Sequence, residues 1–185
     1  MNRRAFSLLK RILNSKGISF SLIIVILVFF ASSYSGFSNS YLKDIFEIKP
    51  KKEIYAKVIK VSDGDTIHLL DENNTKYKIR LQGIDAPENK QEYGQEAKNF
   101  LSSMIKDKVV KAVIEDKDKY DRFVATIYLN KMDINRAMVA NGCAHAYRDF
   151  STKYIKEEIN ARKNRLGLWQ SDNVKNPSDF RKENN

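Results

Sequence analysis

The sequence has very few of the residues that build disulfides and zinc sites. Its 185 residues include one cysteine, Cys143, and two histidines, His68 and His145. A single thiol cannot form a disulfide within the chain, and it gives no information about the redox compartment. Neither histidine lies near the acidic motifs described below, which argues against zinc. We expect His68 to be a surface residue and Cys143 and His145 to be packing or loop residues.

Acidic residues are absent from the first 33 positions, which hold five basic residues. The other 152 residues carry 28 basic and 23 acidic side chains, so the net charge of +10 divides into +5 for each part. The body of the chain is therefore only mildly basic. This balance weakly favours an anionic partner such as nucleic acid.

An uncharged run at 18–33 follows the basic start, and its apolar part extends from Leu22 to Ala31. A short apolar run after basic residues, with small residues near its end, is typical of a secretory signal peptide. Counted as far as Phe37, the run nearly reaches the roughly 20 residues of a membrane helix. An uncleaved anchor at 18–37 therefore remains the alternative. Either segment predicts a domain outside the cytoplasm, secreted or anchored to the membrane.

The chain divides into a leader with linker at 1–40, a linker at 41–53, a domain at 54–173 and a polar tail at 174–185, which we expect to be partly disordered. Alternation and helical spacing of apolar residues predict the elements of the domain. The strands are predicted at 54–61, 66–70, 76–81, 108–115 and 123–129, and the helices at 95–106, 133–142 and 152–166. This α+β pattern fits a five-stranded, partly open OB-fold barrel.

Acidic residues concentrate at two predicted turns. Asp65 begins the second strand, and Asp85 and Glu88 follow the third. If these strands form a hairpin, the start of one lies beside the end of the other, so Asp65 and Asp85 become neighbours. Two adjacent carboxylates repel each other unless a cation lies between them, and oxygen ligands suit Ca²⁺ or Mg²⁺.

Two arginines accompany these acidic residues. Arg80 lies on the outward face of the third strand, and Arg122 precedes the fifth. Guanidinium groups bind phosphate oxygens in pairs and keep their charge. Together with a metal ion and with Glu88 as a proton acceptor, they form a set suited to phosphodiester hydrolysis. Each motif alone is more often an ordinary turn or an exposed loop, so only their joint occurrence is specific.

The joint order of these motifs resembles the staphylococcal nuclease (thermonuclease) family. Between Ile54 and Asn173 the chain carries, in sequence, VSDGDTI, RLQGIDAPE, YGQEAKNFL, DKYDR and GLW. The resemblance implies an OB-fold barrel with three helices and Ca²⁺-dependent hydrolysis of DNA and RNA. We expect a monomer whose substrate is DNA, RNA or both.

The resemblance also implies roles for nine residues. They are the calcium ligands Asp65, Asp85 and Ala86 (through its backbone carbonyl), the catalytic residues Arg80, Glu88 and Arg122, and the substrate-binding residues Lys119, Tyr120 and Tyr147. Two positions, one of them among these nine, depart from the pattern of the family's best-known members. Ala86 stands where they have threonine, and Asp121 where they have glycine. The side chain of Asp121 either weakens phosphate binding at Arg122 or points into solvent.

A non-catalytic OB-fold module that binds single strands is the alternative function. The paired carboxylates argue against it, because without a metal ion they would repel phosphate. A last expectation concerns Trp169, which we predict to fill the gap between the final helix and the barrel.

Overall fold

The computed structural model describes residues 51–184. The predicted signal peptide or anchor at 18–37 and most of the linker lie outside the described residues. Within residues 51–184, no helix combines the length and the apolarity that crossing a membrane requires.

The described part of the chain contains eight strands and four α-helices. The strands are β1 Glu53–Val61, β2 Thr66–Leu70, β3 Lys76–Leu81, β4 Ile84–Asp85, β5 Val109–Lys117, β6 Phe123–Leu129, β7 Met132–Asp133 and β8 His145–Ala146. The helices are α1 Gly94–Ile105, α2 Ile134–Ala140, α3 Ile155–Lys163 and α4 Pro177–Asn184, and a 3₁₀ turn, Gly167–Gln170, separates the last two.

The five long strands close into a barrel. They pair in the order β3-β2-β1-β5-β6, and β3 also pairs with β6 in parallel, with Ile79 opposite Phe123 and Leu81 opposite Ala125. The short β7 extends the sheet beyond β6, and β4 pairs separately with β8. The α+β fold with a five-stranded OB-type barrel, predicted from the sequence, is confirmed.

The barrel interior is filled because apolar residues alternate along its strands. In β1, the side chains of Ile54, Ala56 and Val58 are buried while those between them are exposed. Fully buried aliphatic residues of β2 and β3, among them Ile67 and Ile79, face the same core. Burial of each large aliphatic side chain stabilises the fold by about 1.5–3 kcal/mol.

A buried amide links the two strands that close the barrel. The side-chain oxygen of Asn135 accepts the N–H of Ile127 at 3.0 Å. Its nitrogen donates to the carbonyl oxygens of Gln82, 2.9 Å away, and Ala125, 3.1 Å away. The end of β3 and the middle of β6 are thereby joined through α2.

The C-terminal segment differs from the prediction. Residues 174–185 were expected to be partly disordered, but Pro177–Asn184 form helix α4. The side chain of Asn176 accepts the backbone N–H of Ser178 at 3.0 Å, and proline occupies the first helical position, where its missing N–H costs nothing. Asn176 and Pro177 therefore start the helix. It was not predicted from the sequence because residues 177–184 lack an apolar face at helical spacing.

Candidate active site

A cleft of about 590 Å³ at one end of the barrel gathers the predicted site residues. Eight of the nine line it, namely Asp65, Arg80, Ala86, Glu88, Lys119, Tyr120, Arg122 and Tyr147. The ninth, Asp85, is buried directly behind the cleft and forms an ion pair with Arg80. Motifs that are far apart in sequence thus meet in one place.

The β2–β3 hairpin brings the acidic motifs together. Thr66 lies opposite Arg80 in the antiparallel register, and the backbone carbonyl of Asp65 accepts the N–H of Leu81 at 2.8 Å. The start of β2 is therefore fixed beside the end of β3. This is the neighbourhood that the hairpin argument predicted for Asp65 and Asp85.

One guanidinium binds both carboxylates. The Nη1 atom of Arg80 lies 3.0 Å from Oδ2 of Asp65, and its Nη2 atom lies 2.9 Å from Oδ1 of Asp85. The side chains of Arg80, Asp65 and Asp85 are only 13 %, 10 % and 2 % exposed. Because water is largely excluded, these charges interact more strongly than an exposed pair would.

Asp65 is held by the loop that follows β4. Its Oδ2 atom accepts the backbone N–H of Ala86 at 2.9 Å. Burial raises the pKa of Asp65, and the charge of Arg80 opposes this rise. A Cβ atom at Gly64 would lie 2.6 Å from that of Ala86, so only glycine permits this approach of the two turns. The alanine that departs from the family pattern is thus buried in this contact.

The donor set suits a hard divalent cation. Within residues 51–184, no three acidic, histidine or cysteine side chains form a ready metal-binding group. The carboxylates of Asp65 and Asp85 nevertheless converge on one guanidinium, and with the carbonyl of Ala86 they offer the oxygen ligands that Ca²⁺ and Mg²⁺ prefer. The types of ligand atom therefore fit the calcium ion that the family resemblance implies.

Arg122 is oriented by an acidic residue that sequence reasoning missed. Asp118 accepts the backbone N–H groups of Tyr120 and Arg122 at 2.9 and 3.0 Å, and its Oδ2 atom accepts Nε of Arg122 at 2.7 Å. Burial opposes the ionisation of Asp118, but these hydrogen bonds outweigh it and lower its pKa. The sequence did contain a signal for this contact, because Asp118 precedes Arg122 by four residues in a short loop.

Asp121 takes the second of the two orientations considered for it. Its φ of 64° lies in the left-handed region, where glycine is the residue most easily accommodated. The side chain is 88 % exposed and pairs with Lys117 at 2.5 Å. The negative charge is therefore directed into solvent.

The parallel pairing of β3 and β6 directs the two arginines to one side. Arg80 lies opposite Val124, and Arg122 precedes Val124 by two residues. Since side chains alternate along an extended chain, positions 122 and 124 share a face with position 80. Arg122 also donates to the hydroxyl of Thr66 at 3.4 Å, next to Asp65.

A third arginine enters the site from the C-terminal helix. Nη1 of Arg181 donates to Glu88 at 2.8 Å and to Oδ1 of Asp85 at 3.1 Å, and Nη2 donates to Oδ2 of Asp85 at 3.0 Å. Burial opposes the charge of Arg181, but the two carboxylates outweigh it and raise its pKa. Nothing in the sequence pattern connects Arg181 with residues about a hundred positions earlier.

Exposed aromatic rings border the charged groups. Tyr120 is 66 % exposed, with Nζ of Lys119 lying 5.1 Å from the centre of its ring. Tyr147 packs against Phe150 with ring centres 4.6 Å apart, and Phe150 is exposed. Such rings next to cationic groups suit the stacking of nucleic-acid bases. Phe150 is a further cleft residue that the sequence reading did not single out.

The remaining singled-out residues have packing roles. Cys143 and His145 are buried, and burial raises the pKa of the first to about 11 and lowers that of the second to about 4. The imidazole of His145 meets the ring of Trp169 edge-on, and Trp169 packs with Ala161 of α3 and Leu168 in a cluster separate from the barrel core. His68 is half-buried rather than fully on the surface, because its ring bonds to Ser62 at 3.0 Å.

Comparison with known proteins agrees with this geometry. The family model described as staphylococcal nuclease homologue matches residues 78–171, about half of the chain. The chain belongs to the staphylococcal nuclease family. A relative in Haemophilus influenzae, named "Uncharacterized endonuclease", is 40 % identical over 129 residues, which cover 69 % of this chain and 72 % of the relative. The predicted class of enzyme, a nuclease that hydrolyses phosphodiester bonds, is confirmed.

Two further relatives match over similar lengths. "Staphylococcal-like nuclease CAN1" of Arabidopsis thaliana is 39 % identical over 109 residues, which cover 58 % of this chain but only 34 % of the plant protein. "Protein ParB" of Escherichia coli is 32 % identical over 146 residues, covering 72 % of this chain and 82 % of the relative. The chain thus spans about a third of the plant relative.

Proposed function

We propose that the protein is a calcium-dependent nuclease that cleaves DNA, RNA or both outside the cytoplasm. The observation that carries the proposal is the cluster of Asp65, Asp85 and Arg80, which borders the cleft containing Glu88 and Arg122. The location rests on the sequence of the leader, through export or through a membrane anchor at 18–37.

Asp65, Asp85 and the backbone carbonyl of Ala86 would hold the calcium ion, which would supply positive charge to a phosphate oxygen of the substrate. The protein contributes the arrangement of these ligands. Arg80 and the N–H of Ala86 fix the carboxylate of Asp65 from two directions, 3.0 and 2.9 Å away. The cost of orienting the ligands is therefore met during folding and not during the reaction.

Arg80 and Arg122 would bind the phosphate and stabilise the charge that develops on it. Asp118 holds Nε of Arg122, and Nη1 makes only a long contact of 3.4 Å with Thr66, which also lines the cleft. A guanidinium fixed at one edge can present the other edge to two phosphate oxygens. Lys119, Tyr120 and Tyr147 would contact the neighbouring parts of the strand.

Glu88 would act as the general base. Its side chain is 37 % exposed at the cleft, so a water molecule can reach it. A carboxylate in this position can accept a proton from water as the oxygen attacks phosphorus. The N–H of Glu88 donates to the side chain of Gln91 at 3.1 Å, which fixes the backbone beneath the carboxylate.

The first test is cleavage of single-stranded DNA by the full chain in calcium, followed by chelation with EGTA. Cleavage should occur with calcium and stop after chelation, because the two carboxylates then lack their cation. Binding without cleavage in calcium would instead support the single-strand-binding module. Undiminished cleavage in EGTA would contradict the calcium requirement.

Two substitutions test the assigned roles. Glu88→Gln and Arg122→Ala should each reduce cleavage by about 10²–10³-fold, because each removes a group acting on the reacting phosphate or water. Both variants should keep their circular dichroism spectra, since neither side chain lies in the barrel core. Glu92→Gln, on the exposed side of the same loop as Glu88, is the matched control and should cleave normally.

The location can be tested by mass. A protein recovered outside the cytoplasm with about 33 residues missing would support a cleaved signal peptide. An intact N-terminus in the membrane fraction would support the anchor. Recovery of the intact chain only from the cytoplasm would contradict both forms of the proposal.

A further inference from the structure

The C-terminal helix places a cation between two acidic residues of the site. Arg181 uses both terminal nitrogens on the two oxygens of Asp85, at 3.1 and 3.0 Å, in the forked geometry of a strong ion pair. The same Nη1 atom reaches Glu88 at 2.8 Å. Among the residues lining the cleft, Arg181 is the only one that α4 contributes.

These hydrogen bonds occupy the oxygens that a metal ion would need. Oδ1 of Asp85 accepts from both Arg80 and Arg181, and Oδ2 accepts from Arg181. Calcium approaches its carboxylate ligands to within about 2.3–2.6 Å. A guanidinium and a divalent cation at the same carboxylate edge would repel each other strongly in a site of low exposure. Arg80 contacts only Oδ1 of Asp85, so Oδ2 is occupied by Arg181 alone, and Arg181 is the cation that a divalent ion would have to displace.

The hydrogen bond from Arg181 to Glu88 also opposes the proposed function. The carboxylate that would accept a proton from water instead accepts a hydrogen bond from Arg181. A carboxylate oxygen that already accepts a hydrogen bond from a guanidinium is less available to a water molecule. Docking of Arg181 thus occupies both a metal ligand and the general base.

Helix α4 is lightly attached to the domain. Pro177 is its only fully buried residue, and an isolated helix of eight residues is marginal in water. Within the described residues, Arg181 is the only α4 side chain that hydrogen bonds outside the C-terminal segment. Just before the helix, Gln91 donates to the carbonyl of Lys175 at 2.7 Å. Release of Arg181 would therefore disrupt few other interactions.

We propose that Arg181 is an internal counter-ion that competes with the divalent cation for Asp85 and Glu88, and that metal binding releases α4 from the cleft. The inference rests on the proposed function, because it takes Asp85 as a metal ligand. In the absence of the ion, Arg181 neutralises the acidic pair and covers the site. In its presence, the guanidinium gives up both carboxylates.

Calcium affinity provides the first test, measured by isothermal titration calorimetry on the full chain. Arg181→Gln should bind calcium about tenfold more tightly than the wild type, because the competing cation is gone. Lys182→Gln is the matched control. It removes the same charge from the next residue, whose side chain is exposed and, within residues 51–184, pairs only with Asp179, so the calcium affinity of this variant should stay within about twofold of the wild type.

Hydrogen exchange of residues 177–184 provides the second test. Calcium should accelerate exchange in this segment of the wild type, and it should have no such effect in Arg181→Gln, where the ion pair is already absent. Unchanged protection of the wild-type segment with calcium bound would overturn the proposal.

The outcomes separate this inference from the proposed function. Equal or weaker calcium binding by Arg181→Gln than by the wild type would overturn the competition alone and would indicate that Arg181 supports the site. If neither the wild type nor Arg181→Gln binds calcium, the calcium requirement fails, and the competition fails with it.

Discussion

The cleft has two sides that are held in very different ways. On the barrel side, formed by the turn at 62–65, strand β3 and the loop at 116–122, strand pairing fixes the backbone and the ion pair of Arg80 with Asp65 is nearly buried. On the tail side, formed by α4, one buried proline and one arginine make the attachment. Under the proposed function, the barrel side carries the groups that would contact a phosphate, and the tail side is the one that metal binding would release.

Exposure explains the difference in strength. The Arg80 side chain is 13 % exposed and its pairs are shielded, whereas Arg181 is 34 % exposed and its pairs are partly screened by solvent. Removing a partner from a shielded pair leaves an uncompensated charge, which is costly. Removing a partly exposed arginine costs less. Substitutions on the two sides should therefore differ in their effect on stability.

Arg80→Ala should have the largest effect. It leaves the carboxylates of Asp65 and Asp85 close together without their shared cation, so the free energy of unfolding should fall by about 3 kcal/mol. Cleavage should fall by about 10³-fold under conditions where the variant remains folded. Urea denaturation and DNA cleavage measure the two effects, with exposed Lys76→Gln on the same strand as control. A variant as stable as the control would contradict the strength assigned to the barrel side.

Asn135→Ala should affect stability without touching the cleft. It removes the amide that bonds Ile127, Gln82 and Ala125, so the N–H of Ile127 and the carbonyl of Gln82 lose this partner, while the carbonyl of Ala125 keeps the N–H of Gln82 at 2.8 Å. The free energy of unfolding should fall by about 2–3 kcal/mol. The midpoint of chemical denaturation measures this loss, and an unchanged midpoint would show that the barrel closes without the amide.

Asp118→Asn should affect activity more than stability. The amide of the substituted side chain can still accept the backbone N–H groups through its oxygen. In place of the carboxylate, it presents an N–H donor or a neutral oxygen to Nε of Arg122. Cleavage should fall by about tenfold because the guanidinium loses its fixed orientation. Asp121→Asn makes the same change in the same loop at an exposed position and should cleave normally. Equal losses of cleavage in Asp118→Asn and Asp121→Asn would mean that the net charge of the loop, and not the contact with Arg122, controls activity.

Removal of residues 176–185, which keeps Val174 packed near Trp169 and the carbonyl of Lys175 bonded to Gln91, should have the smallest effect on stability. It deletes α4 together with Pro177 and Arg181, while the barrel and its strand pairing remain. The free energy of unfolding should fall by about 1 kcal/mol, a value suited to a partly exposed ion pair. Thermal denaturation of the shortened and complete chains measures the difference. A loss as large as that of Arg80→Ala would remove the distinction between the two sides.

The strands of the barrel side and its acidic turns were predictable from sequence, because alternation and hairpin turns are local. Alternation of apolar residues located the five long strands to within two residues, and hairpin geometry brought Asp65 beside Asp85. The other cleft residues, Ala86, Lys119, Tyr120 and Tyr147, came from the family resemblance that the order of the motifs carries. The direction of the Asp121 side chain was open, because it depends on a left-handed backbone that the sequence does not specify.

The tail side could not be predicted by the same reasoning. Arg181 reaches Glu88 across 93 positions of sequence, and no periodic pattern records such a contact. The two-residue pair of β4 with β8 is likewise too short to leave an alternating signal. The start of α4 did leave a local signal, Asn176 followed by Pro177, which an analysis of helix caps would detect.

Because β3 pairs with β6, the site is complete only after the barrel has closed. Arg80 and Arg122 come together only when two strands distant in sequence have met, and such non-local contacts form slowly. A hairpin of β2 and β3 alone would assemble the acidic residues but would lack Arg122. After dilution from denaturant, recovery of cleavage should therefore follow the slowest phase of refolding seen by circular dichroism. The recovery of nuclease activity would then report when the barrel has closed.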